Sequence, residues 1–361
     1  MKKVACVIIF WLTVSLLIGG CSRDTKEDAG EEVLVNLDIS VALSDVAQSL
    51  ARGVEEDAKP GNDNELMQKL RVIVVRENGI VEKNNLINLS QPAVMNERLS
   101  ERLKVVSREW KRIYLFVNED NENIKVGRGD SDEVFSLTSF LESIVVGAAF
   151  PTEEISELTV RLDVPSGQLE GALPMNECHR VYVPKKDHDC ELFVTRAAVK
   201  FSFRINNNSS IEKKLTGLTI KNMADKEYYL PRNAKYENEE IEGNKYLAIQ
   251  DYDVPSFVQE YDYGQENLAV TLPAKKDDSE EPVWQKLKPI YLLEGKHEGE
   301  YSVGINVNGS YLEGVLRNLP RKLPRNTHVV VNIKINDKNL EFEVNVEPYR
   351  EVELEPDFGI N

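Results

Sequence analysis

The chain has 361 residues, 41% of them hydrophobic, with 44 Lys and Arg against 61 Asp and Glu and a formal net charge of −17. So acidic a chain repels nucleic acid and anionic lipid, which excludes a binder of phosphate backbones and a polybasic membrane-surface protein. The length exceeds one typical domain and suits two.

At the N-terminus, Lys2 and Lys3 precede an apolar stretch from Val4 to Ile18, broken only by Thr13 and Ser15, and then Gly19-Gly20-Cys21. A short basic region, an apolar run too short to span a bilayer, and small residues before a cut describe a signal peptide over residues 1–20. Ile18-Gly19-Gly20-Cys21 resembles a bacterial lipobox, in which the thiol of Cys21 takes the lipid. Cleavage before Cys21 removes Lys2 and Lys3 and carries the net charge to −19. No later apolar run is long enough to cross a membrane, so any anchor lies at this end.

Residues 21–32 are polar and read as a flexible tether. Val33, Val35, Leu37, Ile39, Val41 and Leu43 then alternate with Asn36, Asp38, Ser40 and Ala42, the pattern of a half-buried strand. Residues 44–65 turn polar and predict a long exposed loop open to proteolysis. Strands are expected at 71–75, 112–118 and 158–164. The spacing of Leu99, Leu103, Val106 and Trp110 predicts a helix over 95–111, and a second helix is expected over 134–144. Prolines and glycines make 165–191 loop-like, with a strand restarting at 192–206. This places one domain over 33–191 and another over 192–361.

The second half predicts strands at 198–205, 215–221, 267–272, 288–293 and 301–307. Its clearest signal is a hairpin: Val329, Val331, Ile333 and Ile335, a turn at 336–339, then Leu340, Phe342, Val344 and Val346. Val352 and Leu354 mark one more short strand, which must pair within its own domain or with another molecule. Many short strands and few helices give a mainly β chain of sandwich type.

After signal removal and lipidation, Cys178 and Cys190 remain. Export to an oxidising compartment favours a disulfide between them. Two free thiols, or a metal set completed by His179 and His188, are the alternatives, although the spacing matches no common zinc pattern. Elsewhere the histidines are scattered, and no nucleophile elbow, phosphate loop, paired metal histidines or dinucleotide fingerprint occurs. The acidic runs read as solvated loops. No catalytic residue, metal site or cofactor is therefore assigned. Trp110, Trp284, Tyr228 and Tyr229 are the candidates for an exposed aromatic platform, should the chain be a binding module.

The order of these features resembles the fimbrillin family of Bacteroidetes fimbriae. The resemblance is carried by the lipobox ending at Cys21, the alternating strand with its loop, Arg112-Ile-Tyr-Leu-Phe-Val-Asn118, Ala172-Leu-Pro-Met175, Thr195-Arg-Ala-Ala-Val-Lys200, Leu323-Pro-Arg-Asn-Thr-His-Val-Val-Val331, and the ending from Pro348 to Gly359. It implies two transthyretin-like β-sandwich domains in tandem and a lipid-anchored precursor at the outer membrane. It also implies a maturation protease cutting between Arg52 and Gly53, with Arg71 and Arg76 poorer matches because they fall at a strand. The strand 33–43 would leave, and a donor strand around Val352 and Leu354 of another fimbrial subunit would replace it, supporting adhesion. The alternative is a monomeric outer-membrane lipoprotein: a fimbrial anchor, or a module that binds glycan or a host or bacterial surface protein.

Overall fold

The computed structural model describes residues 32–44, 63–93, 99–162, 166–241, 244–275, 283–295, 300–317, 319–337 and 339–347. In the first half, the strands are β1 (Leu34–Leu43), β2 (Met67–Arg76), β3 (Val81–Ala93), β4 (Leu99–Val106), β5 (Glu109–Val117) and β6 (Lys125–Arg128). Two short helices follow, α1 (Leu137–Glu142) and α2 (Thr152–Ser156), then β7 (Leu158–Arg161), β8 (Met175–Val183) and β9 (His188–Arg196). Seven of these strands form one sheet path in the order β3-β2-β5-β8-β9-β1-β4. β8 and β9 pair only at Met175 with Arg196 and Asn176 with Thr195. Beyond that corner the path divides into two layers, β4-β1-β9 and β3-β2-β5-β8. Val35, Leu37, Ile39, Leu103, Val105 and Val194 from the first layer share one core with Leu70, Val72, Ile113, Leu115 and Val117 from the second. This is a β-sandwich, closed by burial of alternate residues on both inner faces.

β2 and β5 are buried on their other face too. Ile73, Val75, Tyr114 and Phe116 pack against Leu137 and Leu141 of α1, Ile155 of α2, and Val160. This explains the unbroken Arg71-Val-Ile-Val-Val75, since a strand covered on both faces has no polar side to show.

The second half supplies β10 (Val199–Asn207), β11 (Lys213–Ala224), β12 (Lys226–Tyr228), β13 (Arg232–Ile241), β14 (Asn244–Asp253) and β15 (Glu260–Leu272). It continues with β16 (Gln285–Lys286), β17 (Ile290–Leu292), β18 (Ser302–Val307), β19 (Ser310–Val315), β20 (His328–Ile335) and β21 (Leu340–Glu347). A sheet built as β16-β10-β20-β21, with β17 also on β10, faces a second built as β15-β11-β18-β19. Phe201, Phe203, Val329, Val331 and Ile333 meet Leu215, Ile220, Val303 and Ile305 between them. The predicted hairpin is β20–β21, paired from His328 opposite Glu347 to Ile335 opposite Leu340. β12 crosses to the first half and pairs with β7, which pairs in turn with β6.

Three expectations are corrected. Residues 99–106 and 109–117 are two strands instead of a helix. Leu103 and Val105 point inward while Arg102 and Lys104 are exposed, and Arg108 turns the chain with φ +61. The helical spacing arose from two strands read across that turn. The stretch 165–191 is not wholly loop: β8 lies within it and β9 begins in it, and β8 pairs along its whole length with β5. The strand expected at 192–206 is broken at Ala197 and Ala198, where the chain passes from β9 to β10.

Cys178 and Cys190 are free. Cys178 lies opposite Tyr114, whose ring faces away from the first sandwich core, while Cys190 packs against that core. The two thiols thus lie against different surroundings, Cys178 on the outer side of its strand and Cys190 on the core side.

Candidate assembly site at the first strand

β1 is an interior strand. On one side it runs antiparallel to β4, from Leu34 opposite Val106 to Val41 opposite Leu99. On the other it runs parallel to β9, from Leu37 opposite His188 to Leu43 opposite Val194. Val35, Leu37, Ile39, Val41 and Leu43 fill the centre of the core, each no more than 7% exposed. Outward, Leu34 is 60% exposed, and Asn36, Asp38 and Ser40 are half-buried. The period-2 sequence is thus the direct imprint of one dry face and one wet face.

Polar contacts fix the strand's register. The backbone N–H and the Nδ2 of Asn36 each donate to the Asp187 carboxylate at 2.9 Å, holding its pKa below the usual carboxylate range. Arg102 makes a two-pronged pair with Asp38 at 2.7 and 3.0 Å. Ser107 donates its backbone N–H to Val33 O at 2.9 Å. These contacts lie on the exposed side, so they align the strand more than they hold it down.

The far end of β1 is tied to the second half. Ser44 is fully buried, and Asn326 Nδ2 donates to its hydroxyl at 3.0 Å. Asn326 Oδ1 accepts from Nη1 of the buried Arg196 at 2.9 Å. Beside this lies a buried ion pair, Lys200 with Glu65 at 2.8 Å, which also accepts from the Tyr291 hydroxyl at 2.7 Å. Arg325, also buried, bonds Glu294 and donates to the carbonyls of Tyr228 and Tyr229 at 2.5 and 2.8 Å. Burial first, then repulsion from Glu294, raises the pKa of Glu227. Every cation here has fixed partners, as burial requires.

The segments 172–175, 195–200 and 323–331, which carry the family resemblance, meet here. Leu173 N–H donates to Asn64 O at 2.8 Å, Ala197 N–H donates to Pro174 O at 2.8 Å, and Arg196, Lys200, Arg325 and Asn326 form the polar contacts just described. The three segments are the seam between the two halves. Glu65 and Ser44 were missed because both fall in a stretch that reads as solvated loop. A basic residue inside an otherwise apolar strand start, such as Lys200, was the one available signal.

Cys21, Arg52, Gly53, Val352 and Leu354 lie outside the described residues. Arg71 and Arg76 both lie in β2. Arg71 is buried and bonds Glu119 at 2.7 to 3.0 Å, and Arg76 pairs with Glu109 at 3.0 Å. Of the aromatic candidates, Tyr228 and Tyr229 are buried and Trp284 is half-buried. Trp110 is 39% exposed, edge-on to Tyr182 at 5.5 Å, with the Arg180 guanidinium 4.4 Å over its ring.

No protein-family model matches the chain, and no curated protein matches it by sequence. Solved structures do. A candidate cell adhesion protein from Parabacteroides distasonis ATCC 8503 superposes with a TM-score of 0.50 at 15% identity, covering 86% of this chain and 96% of its own. This chain shares its fold. The tip fimbrial protein Mfa3 from Porphyromonas gingivalis, with a C-terminal truncation, gives 0.49 at 11% identity over 87% of this chain and 99% of its own. A candidate cell adhesion protein from Bacteroides eggerthii DSM 20697 gives 0.48 at 10% identity, over 88% and 98%.

Proposed function

We propose that this chain is a structural subunit of a bacterial surface fimbria, made as a lipoprotein precursor and assembled by exchange of β1. The observation that carries the reading is the position of β1: an N-terminal strand, interior in its layer, with one face wholly in the core. Its loss would open a groove floored by core side chains and walled by the unpaired edges of β4 and β9. At about 1.5–3 kcal/mol for each of five buried side chains, the burial at stake is on the order of 7–15 kcal/mol. This is an upper bound, because an unfolded segment already hides part of its apolar surface.

A strand from another subunit restores both burial and edge hydrogen bonds, as in strand addition generally. A cut between Arg52 and Gly53 separates β1 from the body and makes the exchange irreversible, so the uncut precursor stays monomeric. The donor is the segment around Val352 and Leu354, which follows β21 at the edge of its sheet. Such a contact is head-to-tail and does not close, which gives a filament. On this reading the precursor sits on the outer membrane through lipid at Cys21, meets a maturation protease, and then joins other subunits in the extracellular fimbrium. The two domains divide at Ala197 and Ala198, not at 191–192, because β9 runs unbroken to Arg196 and puts Leu192 and Val194 into the first core. The fold shared with a candidate cell adhesion protein supports the adhesive setting.

The test is intact mass and N-terminal sequencing of the chain taken from its native outer membrane. A chain beginning at Gly53 without lipid is expected. A lipidated chain beginning at Cys21 would overturn the exchange and leave a monomeric surface lipoprotein or fimbrial anchor.

A further inference from the structure

The outer face of the β3-β2-β5-β8 layer is covered at one end and open at the other. On β5, Trp110, Arg112, Tyr114 and Phe116 alternate onto this face, the side away from the first core. Tyr114 packs against Phe150 with ring centres 4.5 Å apart, and Phe116 against Tyr229 at 6.1 Å. Beyond them Arg112 and Trp110 are exposed. Across the pairing with β8, Tyr182 lies opposite Trp110 and Arg180 opposite Arg112. Tyr182 is 46% exposed, and Arg180 is exposed as well. Two aromatic rings and two guanidiniums on neighbouring strands thus form one open shelf.

The charges on the shelf do not cancel. Like charges directly opposite one another repel, yet among the described residues neither Arg112 nor Arg180 forms an ion pair with a carboxylate. Arg112 lies beside the Tyr114 hydroxyl. The Arg180 guanidinium stacks 4.4 Å over the Trp110 ring, which holds it in place without neutralising it. Glu109 alternates to the other face, where Arg76 and Lys111 take it. Glu153 and Glu154 of α2, just past Phe150, pair with neither arginine. Around the open end, Arg108, Lys185 and Lys186 are exposed; Asp187 there is held by Asn36, and Glu77 stands in the β2–β3 turn. In a chain of net charge −17, this local excess of cations calls for an anion from outside.

We propose that this shelf binds a sugar acid, a pyranose ring bearing a carboxylate, with the carboxylate between the Arg112 and Arg180 guanidiniums and the C–H face of the ring against Tyr182 and the open part of Trp110. The planar guanidinium fork matches a carboxylate, and stacking on the indole fixes one fork in advance. Because the shelf is open, the far side of the ligand stays in water and must be polar. A pyranose has one C–H face for the aromatic rings and hydroxyls for the solvent, whereas an acidic peptide brings carboxylates without a flat apolar face. β1 lies in the opposite layer, so recognition here does not depend on strand exchange, and the uncut monomer binds as well as the polymer.

The test is titration calorimetry and saturation-transfer NMR on the whole chain with the methyl glycosides of glucuronic acid, galacturonic acid and N-acetylneuraminic acid. Methyl glucoside is the uncharged control and a tetraglutamate peptide the control for a non-selective anion patch. Saturable binding of at least one sugar acid is expected, weakened by added salt, with none of methyl glucoside. Arg112→Ala should weaken it about ten- to a hundredfold, the effect of a hydrogen bond between charged groups, with a melting temperature unchanged or raised because two like charges no longer face each other. Tyr182→Ala should weaken it about three- to tenfold, and decides the matter if Arg112→Ala proves unstable. Absence of saturable binding by all three sugar acids, equal binding of methyl glucoside or tetraglutamate, or affinity untouched by both variants would overturn the proposal.

Discussion

Asn326 Nδ2 donates to the Ser44 hydroxyl at 3.0 Å, joining residues 282 positions apart. Ser44 ends the exposed-to-buried run of β1, and Asn326 stands two residues before β20, which carries the last described strand, β21. Both ends of the proposed exchange, the strand that leaves and the hairpin that precedes the donor, therefore meet at one amide. Asn326 holds φ +59 and its N–H donates to Ala198 O at 2.7 Å, a left-handed position that Asn tolerates.

Asn326→Gly keeps that backbone accessible and removes the amide. Two hydrogen bonds go with it, the one to Ser44 and the one from the buried Arg196; the Ser44 bond alone is worth about 0.5–1.5 kcal/mol, or at least roughly three- to tenfold in a local opening equilibrium. Hydrogen exchange at Val41 to Leu43 should quicken by that factor, with amides in β11 and β18 unaffected. Unchanged exchange in β1 would show that the amide does not latch the strand.

The inner and outer faces of β1 should answer to mutation differently. Ile39 is 1% exposed and Leu34 is 60% exposed. Ile39→Ala should cost about 2–4 kcal/mol in urea unfolding, from lost burial and a residual cavity. Leu34→Ala should fall within about 0.5 kcal/mol of the parent. Similar costs at both positions would mean that the groove does not carry the burial assigned to it.

The buried pair Lys200–Glu65 allows a sharper comparison. Both side chains are fully buried, and Tyr291 also donates to Glu65. Glu65→Ala removes a carboxylate from beside a buried ammonium and should cost about 3–5 kcal/mol. Lys200→Met, combined with Glu65→Leu, should recover most of that loss, because an apolar pair of similar volume carries no desolvation cost. A double variant as unstable as Glu65→Ala would show that the pair is needed for more than charge balance.

The legibility of these elements in the sequence follows from how far apart the partners lie. β1 and the β20–β21 hairpin were readable because one face is dry and the other wet, so burial writes a two-residue period into the chain. β8 was not, because Cys178, His179 and Arg180 occupy its middle and prolines flank it; its nine-residue pairing with β5 is a property of the partner strand. The turn at Arg108 hid the boundary between β4 and β5. Ser44 and Glu65 looked solvated because their partners, Asn326 and Lys200, lie far along the chain, and single-residue polarity carries no record of a distant countercharge.

The free thiols predict a simple chemical result. Iodoacetamide applied without reductant should modify both Cys178 and Cys190, each slowly, since burial pushes the two thiols up to about 12 and about 11 and leaves little thiolate. Mass analysis showing neither modified until reductant is added would restore the disulfide.

Glu177, together with Glu227, contributes to the pH response of the seam. Burial raises its pKa to about 7, against the opposing pull of hydrogen bonds from the Tyr236 hydroxyl and the Cys178 N–H, with Arg325 further off. An unfolded glutamate titrates near 4.5. Between these values the folded state binds the extra proton, so this group's contribution is fully present below about 4.5 and is lost as pH rises through about 7. The span corresponds to about 3 kcal/mol. Glu177→Gln keeps a hydrogen-bonding side chain of the same shape and cannot ionise. Its stability relative to the parent should be near zero at pH 4.5 and should grow, in favour of the variant, up to pH 8. Melting temperatures of the two proteins across that range measure it directly. Curves that stay parallel would mean that Glu177 ionises as freely in the folded chain as in the unfolded one, and that its hydrogen bonds offset its burial.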